Sequence, residues 1–260
     1  MPAHSQKTLS CKLVTQSPEN EQRFNLPSIS ALLVLFNAED GRPEAIMDAD
    51  AITAWRTAAG SLVAFKHLGK NQELDGKTLS VLGAGKQGRI HIIGFQRYFQ
   101  FGKVNLWNRT RTRAEAVKTE LKKAENIEIA VYADVKACVK NADVVIWAGS
   151  ATPQIYITEK DLKPGALIIS VGTSPAMPSG LSSQIFKNAE LFTENEPAAQ
   201  SEMSNFIQTH QLEFREIGEI ISGTKSLENS KDFIIYQSLG SGAMDAAAGK
   251  FILDTATQTN

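Results

Sequence analysis

The sequence predicts an α/β chain: a doubly wound parallel sheet accompanied by a smaller α+β domain. Three observations predict it. A G-x-G-x-x-G separates an apolar run from a helical pattern at Thr78–Gly88. From there to Thr193, apolar strand segments alternate with helical segments, which implies parallel pairing through right-handed crossovers. Before Leu68 the pattern differs, with two strand segments flanking a polar D-G turn, which is hairpin chemistry.

Thr78, Leu79, Ser80, Val81 and Leu82 read as a buried strand stopped by glycine, and Arg89–Phe99 as the helix after it. In Gly83-Ala84-Gly85-Lys86-Gln87-Gly88, each glycine has a mechanical reason. Gly83 permits the tight turn, Gly85 lets a pyrophosphate approach the backbone, and Gly88 lets helix and strand pack closely. Unpaired N–H groups and the positive dipole end at the helix start then hold phosphates. These are marks of a Rossmann-type dinucleotide site; the plainer alternative is a glycine turn that serves only packing.

The next strand, Val104–Trp107, narrows the cofactor. A site that prefers NAD places Asp or Glu near this strand's end to bond the ribose 2′-hydroxyl. Here Asn108 stands twenty residues past Gly88, followed by Arg109, Thr110, Arg111, Thr112 and Arg113. A carboxylate would repel a 2′-phosphate, whereas Arg109 or Arg113 would bind one through charge-assisted hydrogen bonds. The expected cofactor is NADPH rather than NADH. A solvated basic helix start is the bland alternative, although cations are unfavourable at a helix N-terminus.

Bulk numbers exclude other classes. With 260 residues the chain can bury a sizeable core. A formal net charge of -1 and a pI near 6.4 give no electrostatic reason to expect nucleic acid or an anionic membrane. Only Cys11 and Cys138 are present, so a reducing compartment fits. The start has no signal-peptide apolar region and no run is long enough to span a bilayer, so a cytoplasmic location is expected. His4, His67, His91 and His210 lie far apart, which argues against a metal site.

In chain order, Lys12–Thr15 alternates weakly like a strand and Ser28–Phe36 is a stronger candidate. Residues 37–43 supply the turn, and Glu44–Asp48 returns. Asp50–Leu68 has helical spacing, with Ile52, Trp55, Ala59, Val63 and Leu68 near one face. The polar segment Gly69–Gly76 marks the expected boundary, giving domains 1–70 and 71–232, with 233–260 returning to the first. Ala114–Ala124, Asp134–Lys140 and Leu181–Phe186 read as helices. Ile127–Val131, Ala142–Ala148, Ala166–Gly172 and Glu190–Thr193 read as strands. Ligands of such sheets sit outside the strands' carboxyl ends. That places Ala148-Gly149-Ser150 and Gly172-Thr173-Ser174 beside the cofactor, although ordinary loops use the same residues. Ile217–Gly223 resembles a short helix with a glycine stop, and Phe233–Tyr236 a strand. Ala243–Leu253 reads as a terminal helix, either packed unusually close through Gly242 and Gly249 or a plain core helix.

Six segments, in this order, together resemble one family: MPAH…KLVT at Met1–Thr15, GRPEAIMDADAITAWRTAAGS at Gly41–Ser61, GAGKQG, WNRT at Trp107–Thr110, IGEII at Ile217–Ile221 and QSLG at Gln237–Gly240. They look like the ornithine cyclodeaminase/mu-crystallin family, most closely its mu-crystallin branch. The resemblance implies a two-domain, dimeric subunit whose chain ends build the substrate and dimer domain. It also implies a longer N-terminal segment ahead of the position of Met1, so the substrate domain is expected to be incomplete.

The resemblance assigns roles. Arg56 matches the arginine that pairs with a substrate carboxylate, and Lys12 the active-site lysine that bonds the carboxylate or imine. Glu219 matches an acid lining the ligand pocket, and Ser28 and Ser238 match cofactor or substrate contacts. The expected catalytic set is thus Lys12, Arg56 and Glu219. The expected cofactor set is Ser28, Arg56, Gly83, Ala84, Gly85, Lys86, Gln87, Asn108, Arg109, Thr110, Arg113, Ala148, Gly149, Ser174 and Ser238. Ornithine cyclodeaminases carry a catalytic aspartate where this chain has Ser174, which argues against deamination of ornithine. Pro175–Gly180 replace an acidic, arginine-containing run, so the pocket rim is altered. The activity implied is NADPH-dependent reduction of small cyclic ketimine carboxylates. A thyroid-hormone binder without turnover, and an ornithine cyclodeaminase or amino-acid dehydrogenase, are the alternatives.

Overall fold

The computed structural model describes every residue except Gln6, Pro18, Ser28, 70–75, 150–154, 172–179, Asn229 and 259–260; the side chains of Glu21 and Gln22 are likewise left aside. The chain divides into two units, Met1–Thr57 with Gly240–Asn260, and Ala58–Leu239.

In the first unit, β1 (Pro2–His4), β2 (Thr8–Gln16), β3 (Ile29–Asn37) and β4 (Pro43–Asp48) form an antiparallel sheet in that order. Short helix α1 (Asn20–Phe24) lies between β2 and β3 in the chain. The β3–β4 turn forms because the Asn37 side-chain oxygen accepts from the backbone of Glu39 at 2.8 Å, and Gly41 supplies φ +74°. Period-two alternation buries Thr8, Ser10, Lys12, Leu33 and Leu35 on one face. Helix α10 (Gly242–Gln258) covers that face, and a Cβ on Gly249 would stand 2.5 Å from a Leu33 methyl, so the Ala-rich helix does pack closely.

Helix α2 (Asp50–Leu68) has the predicted span, and of its expected apolar face Ile52 and Leu68 are buried while the other three residues are not. Ala54, Thr57, Ala58, Ser61, Ala64, Phe65 and Leu68 are buried, whereas Trp55 is 45% exposed and Ala59 and Val63 are also exposed. Small side chains permit close packing, so the buried stripe is not the one with the largest apolar residues.

The second unit holds an all-parallel sheet of eight strands. They are β5 (Thr78–Leu82), β6 (Lys103–Trp107), β7 (Ala130–Tyr132), β8 (Val144–Trp147), β9 (Leu167–Ser170), β10 (Ala189–Thr193), β11 (Phe214–Glu216) and β12 (Phe233–Gln237). Their order is β11-β10-β12-β9-β8-β5-β6-β7, so the winding direction reverses between β5 and β8. Two apolar clusters, centred on Val81, Ile92 and Ile146 and on Val145, Ile168 and Ile185, fill the unit.

Two boundary expectations are corrected. Strand β12 does not return to the first unit; it pairs with β9 and β10, and all five of its residues are buried, as a central parallel strand requires. Only α10 returns. The division between units falls at Thr57/Ala58 inside α2 rather than at 70/71, because a polar connector marks a break in the pattern and not in the contacts. Helix α3 (Lys86–Phe99) begins three residues before the expected Arg89, so the last glycine-loop residues form its first turn. Helix α4 (Arg111–Glu125) likewise begins within the arginine run. Helices α7 (Glu196–Glu202) and α8 (Ser204–His210) went unread. The first has a readable start, an Asn195 cap accepting from Ala198 at 2.8 Å and a proline in the first turn.

One buried hydrogen bond, between titratable His91 and Ser61, ties α2 to α3. His91 Nδ1 lies 2.8 Å from the Gln87 carbonyl, which can only accept, so Nε2 accepts from the Ser61 hydroxyl at 2.9 Å. Burial pushes His91 down from 6.5 to about 4, the Gln87 bond opposing it. Its neutral form is therefore native, and stability present above pH 6.5 is lost as pH falls toward 4, by up to about 3 kcal/mol. Urea unfolding of His91→Leu should show lower stability at pH 7 but a distinctly shallower loss between pH 6.5 and 4.

Candidate cofactor and carboxylate sites

The glycine loop leaves β5 at the reversal of the sheet. Gly83 has φ +121°, and a Cβ there would stand 2.8 Å from the Ala148 carbonyl carbon; its own N–H donates to Trp107 O at 2.8 Å. A Cβ on Gly88 would overlap the Gly83 carbonyl oxygen. Packing thus requires the first and third glycines. It does not require the second: nothing lies within 4 Å of a Cβ on Gly85, which caps α3 in an extended conformation. Open space before the N-terminus of a helix is what a phosphate needs. Exposed Lys86 follows, and the side-chain oxygen of Gln87 is buried without a hydrogen-bond partner among the described residues.

Asn108 follows β6, and its side-chain oxygen accepts from the Ala84 N–H at 3.0 Å while its amide donates to the Thr110 carbonyl at 2.9 Å. This residue therefore braces the loop as well as leaving the strand end uncharged. Thr110 caps α4 without a side-chain bond. Arg111 pairs with Glu115, whereas exposed Arg109 and Arg113 have no side-chain partner among the described residues. Ala148 and Gly149 follow β8 and back the Gly83 turn. Ser238, at the end of β12, is buried and donates to Glu194 at 3.4 Å; Glu194 also accepts from Leu239 N at 2.9 Å and Tyr236 Oη at 3.1 Å. Ser28 and Ser174 lie outside the described residues.

The first unit holds the expected carboxylate binders. Lys12, 2% exposed on β2, donates to Asp245 Oδ1 at 2.8 Å. Arg56 Nε, on α2, lies 3.0 Å from the same oxygen as an ion pair without an aligned hydrogen bond. Gly240 (φ +81°) passes over the Arg56 guanidinium so closely that a Cβ would stand 2.6 Å from Nη1. Burial drives the Lys12 ammonium below its ordinary value; the Asp245 hydrogen bond opposes this and the Arg56 charge adds to it. Lys12 and Arg56 are thus brought together by an acid that the sequence reading missed. A lone carboxylate in the Ala-rich run Ala243–Ala248 was the available signal. Glu219 lies in the other unit, on α9 (Ile217–Ile221), where it is half-buried and pairs with Lys225 at 2.8 Å.

The profile of the ornithine cyclodeaminase/mu-crystallin family matches residues 1–260. The chain belongs to this family. Ketimine reductase mu-crystallin of Rattus norvegicus is 35% identical over 257 residues, covering 98% of this chain and 79% of that relative. Delta(1)-pyrroline-2-carboxylate reductase of Bacillus cereus is 28% identical over 265 residues, covering 98% and 80%. Among solved structures, Thermococcus litoralis Delta(1)-pyrroline-2-carboxylate reductase, in complex with NADH and L-proline, matches with a TM-score of 0.84. It is 25% identical, covering 97% of this chain and 79% of that one.

The two inner contacts of this family member's glycine loop separate packing from binding. Gly85→Ala should fold with a near-normal melting temperature yet lose at least tenfold in dinucleotide affinity, read by NADPH fluorescence. Gly88→Ala should lose stability outright, because its methyl group meets backbone rather than a movable side chain.

Proposed function

We propose that the chain is an NADPH-dependent reductase of small cyclic ketimine carboxylates, yielding cyclic secondary amino acids. The observation that carries this reading is the pair of buried Lys12 and partly buried Arg56, two cations that share one buried anion among the described residues, Asp245. Buried charge is costly unless balanced, and one ligand carboxylate supplies the missing negative charge. A ketimine reductase and a pyrroline-2-carboxylate reductase among the relatives support that carboxylate belonging to a cyclic imine.

When bound, the reduced nicotinamide supplies a hydride to the C=N carbon, and a proton goes to the nitrogen. The chain's own contribution is to bind and orient. The Arg56 fork suits a carboxylate, and Lys12 adds a hydrogen-bond donor. Holding the imine in one reactive orientation contributes several kcal/mol. Glu219 is proposed to pair with the protonated imine nitrogen; its present bond to half-exposed Lys225 is weak enough to exchange. Asn108 at the position of the ribose-binding acid, with Arg109 and Arg113 exposed and unpaired among the described residues, supports NADPH over NADH.

Turnover of piperideine-2-carboxylate with NADPH is the expected result. Arg109→Ala should weaken NADPH about threefold with little effect on NADH, and Asn108→Asp should move the preference toward NADH. A folded chain that binds NADPH and reduces no cyclic ketimine overturns the reading, and iodothyronine binding by that chain would identify a hormone binder instead.

A second copy of the chain is the proposed partner of the outer face of the first unit's sheet. That face exposes Leu13 by 59%, Leu32 by 50% and Ile46 by 71%, with Leu13 paired directly to Leu32 in register. Such a contiguous apolar face is unusual on a monomer. Leu32→Glu should shift the chain from dimer to monomer in light scattering without unfolding it.

A further inference from the structure

Asp245 is fully buried on α10, and its two oxygens are unequally served. Oδ1 meets both Lys12 at 2.8 Å and Arg56 at 3.0 Å, while Oδ2 has no hydrogen-bond partner among the described residues. A bare buried carboxylate oxygen is destabilising, and an apolar residue of similar size would fill this part of an Ala-rich helix with fewer demands. Packing therefore does not explain an acid here.

Its effect on the two cations does. Lys12 and Arg56 come from different elements, β2 and α2, and two positive charges, one buried and one partly buried, repel. A carboxylate oxygen in contact with both replaces that repulsion with two attractions. It leaves a single net positive charge, which one carboxylate neutralises and two would overshoot.

We propose that Asp245 is the positioning residue of the carboxylate site: it holds Lys12 as an ammonium beside the Arg56 guanidinium, so that one ligand carboxylate meets both cations. The proposal rests on the reading of Lys12 and Arg56 as the imino-acid carboxylate binders. Among the described residues, Asp245 and Arg56 are the charged side chains that act on Lys12, and the N-terminal ammonium of Met1 donates to its backbone carbonyl at 2.9 Å. Strand β3 sets uncharged Leu33 opposite it, and the titratable residue of β1, His4, pairs with Leu9 instead. Further along α10, Lys250 and Asp254 pair with each other at 2.7 Å. Burial and Arg56 both lower the Lys12 ammonium, and Asp245 is the anion opposing them.

The test is an NMR titration of the full chain carrying lysine labelled with carbon-13 at Cε, with Lys12→Arg assigning the signal. Asp245→Asn is expected to make Lys12 at least tenfold more acidic, and Asp245→Glu to restore it within threefold. An unchanged Lys12 midpoint in Asp245→Asn overturns the proposal. If that variant does not fold, Arg56→Gln decides: removing the competing cation must raise the midpoint, and a midpoint that stays or falls overturns the assignment. In turnover, Asp245→Asn should raise KM for piperideine-2-carboxylate at least tenfold while leaving the Kd for NADPH within twofold; an unchanged KM also overturns it. A wild-type chain inert toward ketimines would remove the reductase reading, and the titration would still judge Asp245.

Discussion

A single buried carboxylate oxygen closes the first unit. Asp245 Oδ1 joins β2 near the start of the chain to α10 near its end, across 233 residues, and takes in Arg56 of α2. Removing charge from water costs several kcal/mol per ion, and the attraction returns this only when geometry and hydrogen bonding are complete. Here they are incomplete, since Oδ2 has no partner among the described residues and the Arg56 contact is not an aligned hydrogen bond. The cluster is therefore a poor device for stability alone. It makes sense as a site whose charge balance is completed by a ligand, and binding then adds to the stability of the native state by mass action.

The second unit rests on a different constraint, which is backbone meeting backbone. The Gly83 carbonyl occupies the space where any Gly88 side chain would stand, and Gly83 itself turns against Ala148 and Gly149. These contacts hold the loop between β5 and β8, where the winding of the sheet reverses, the place at which sheets of this kind bind ligands. Asn108 braces the loop from β6, and Glu194 gathers Tyr236, Ser238 and Leu239 at the end of β12. A cofactor would thus meet a cradle fixed by strands rather than one that must fold around it. Such preorganisation lowers the ordering cost of binding.

Much of this was legible in the sequence, for identifiable reasons. The glycine loop and the parallel strands carry strong local signals, because a tight turn needs glycine and a doubly covered strand needs a continuous apolar run. The buried face of α2 was misread because size was taken for burial; Ala54, Ala58 and Ala64 are inside and Trp55 is not. Lys12 could not be found from pattern alone. A lysine on an alternating strand ordinarily marks the solvent side, and only the resemblance to a family pointed to its role. Asp245 escaped for the complementary reason: a uniform Ala-rich helix offers no contrast by which to judge a single acid, and its partners lie far away in sequence. Strand β12 was detected but assigned to the wrong unit, since a short apolar segment does not reveal which sheet will accept it.

The two proposed recognition tasks use charge in opposite ways, and the difference sets how each can change. Arg109 and Arg113 are exposed and have no side-chain partner among the described residues, so their attraction for a 2′-phosphate acts through water. It is screened over about 8 Å at physiological ionic strength, and exposed pairs of this kind contribute roughly 0–1 kcal/mol each. Cofactor preference is therefore built from small, separable terms at the surface, and one substitution can move it without disturbing the fold. Lys12 and Arg56 are shielded from water and coupled through one acid. Removing one partner of a buried cluster costs about 3–5 kcal/mol, so the carboxylate site cannot be adjusted by halves. Variation in such a chain should therefore accumulate at the cofactor's ribose end and spare the buried cations, because only the former can change without also changing stability.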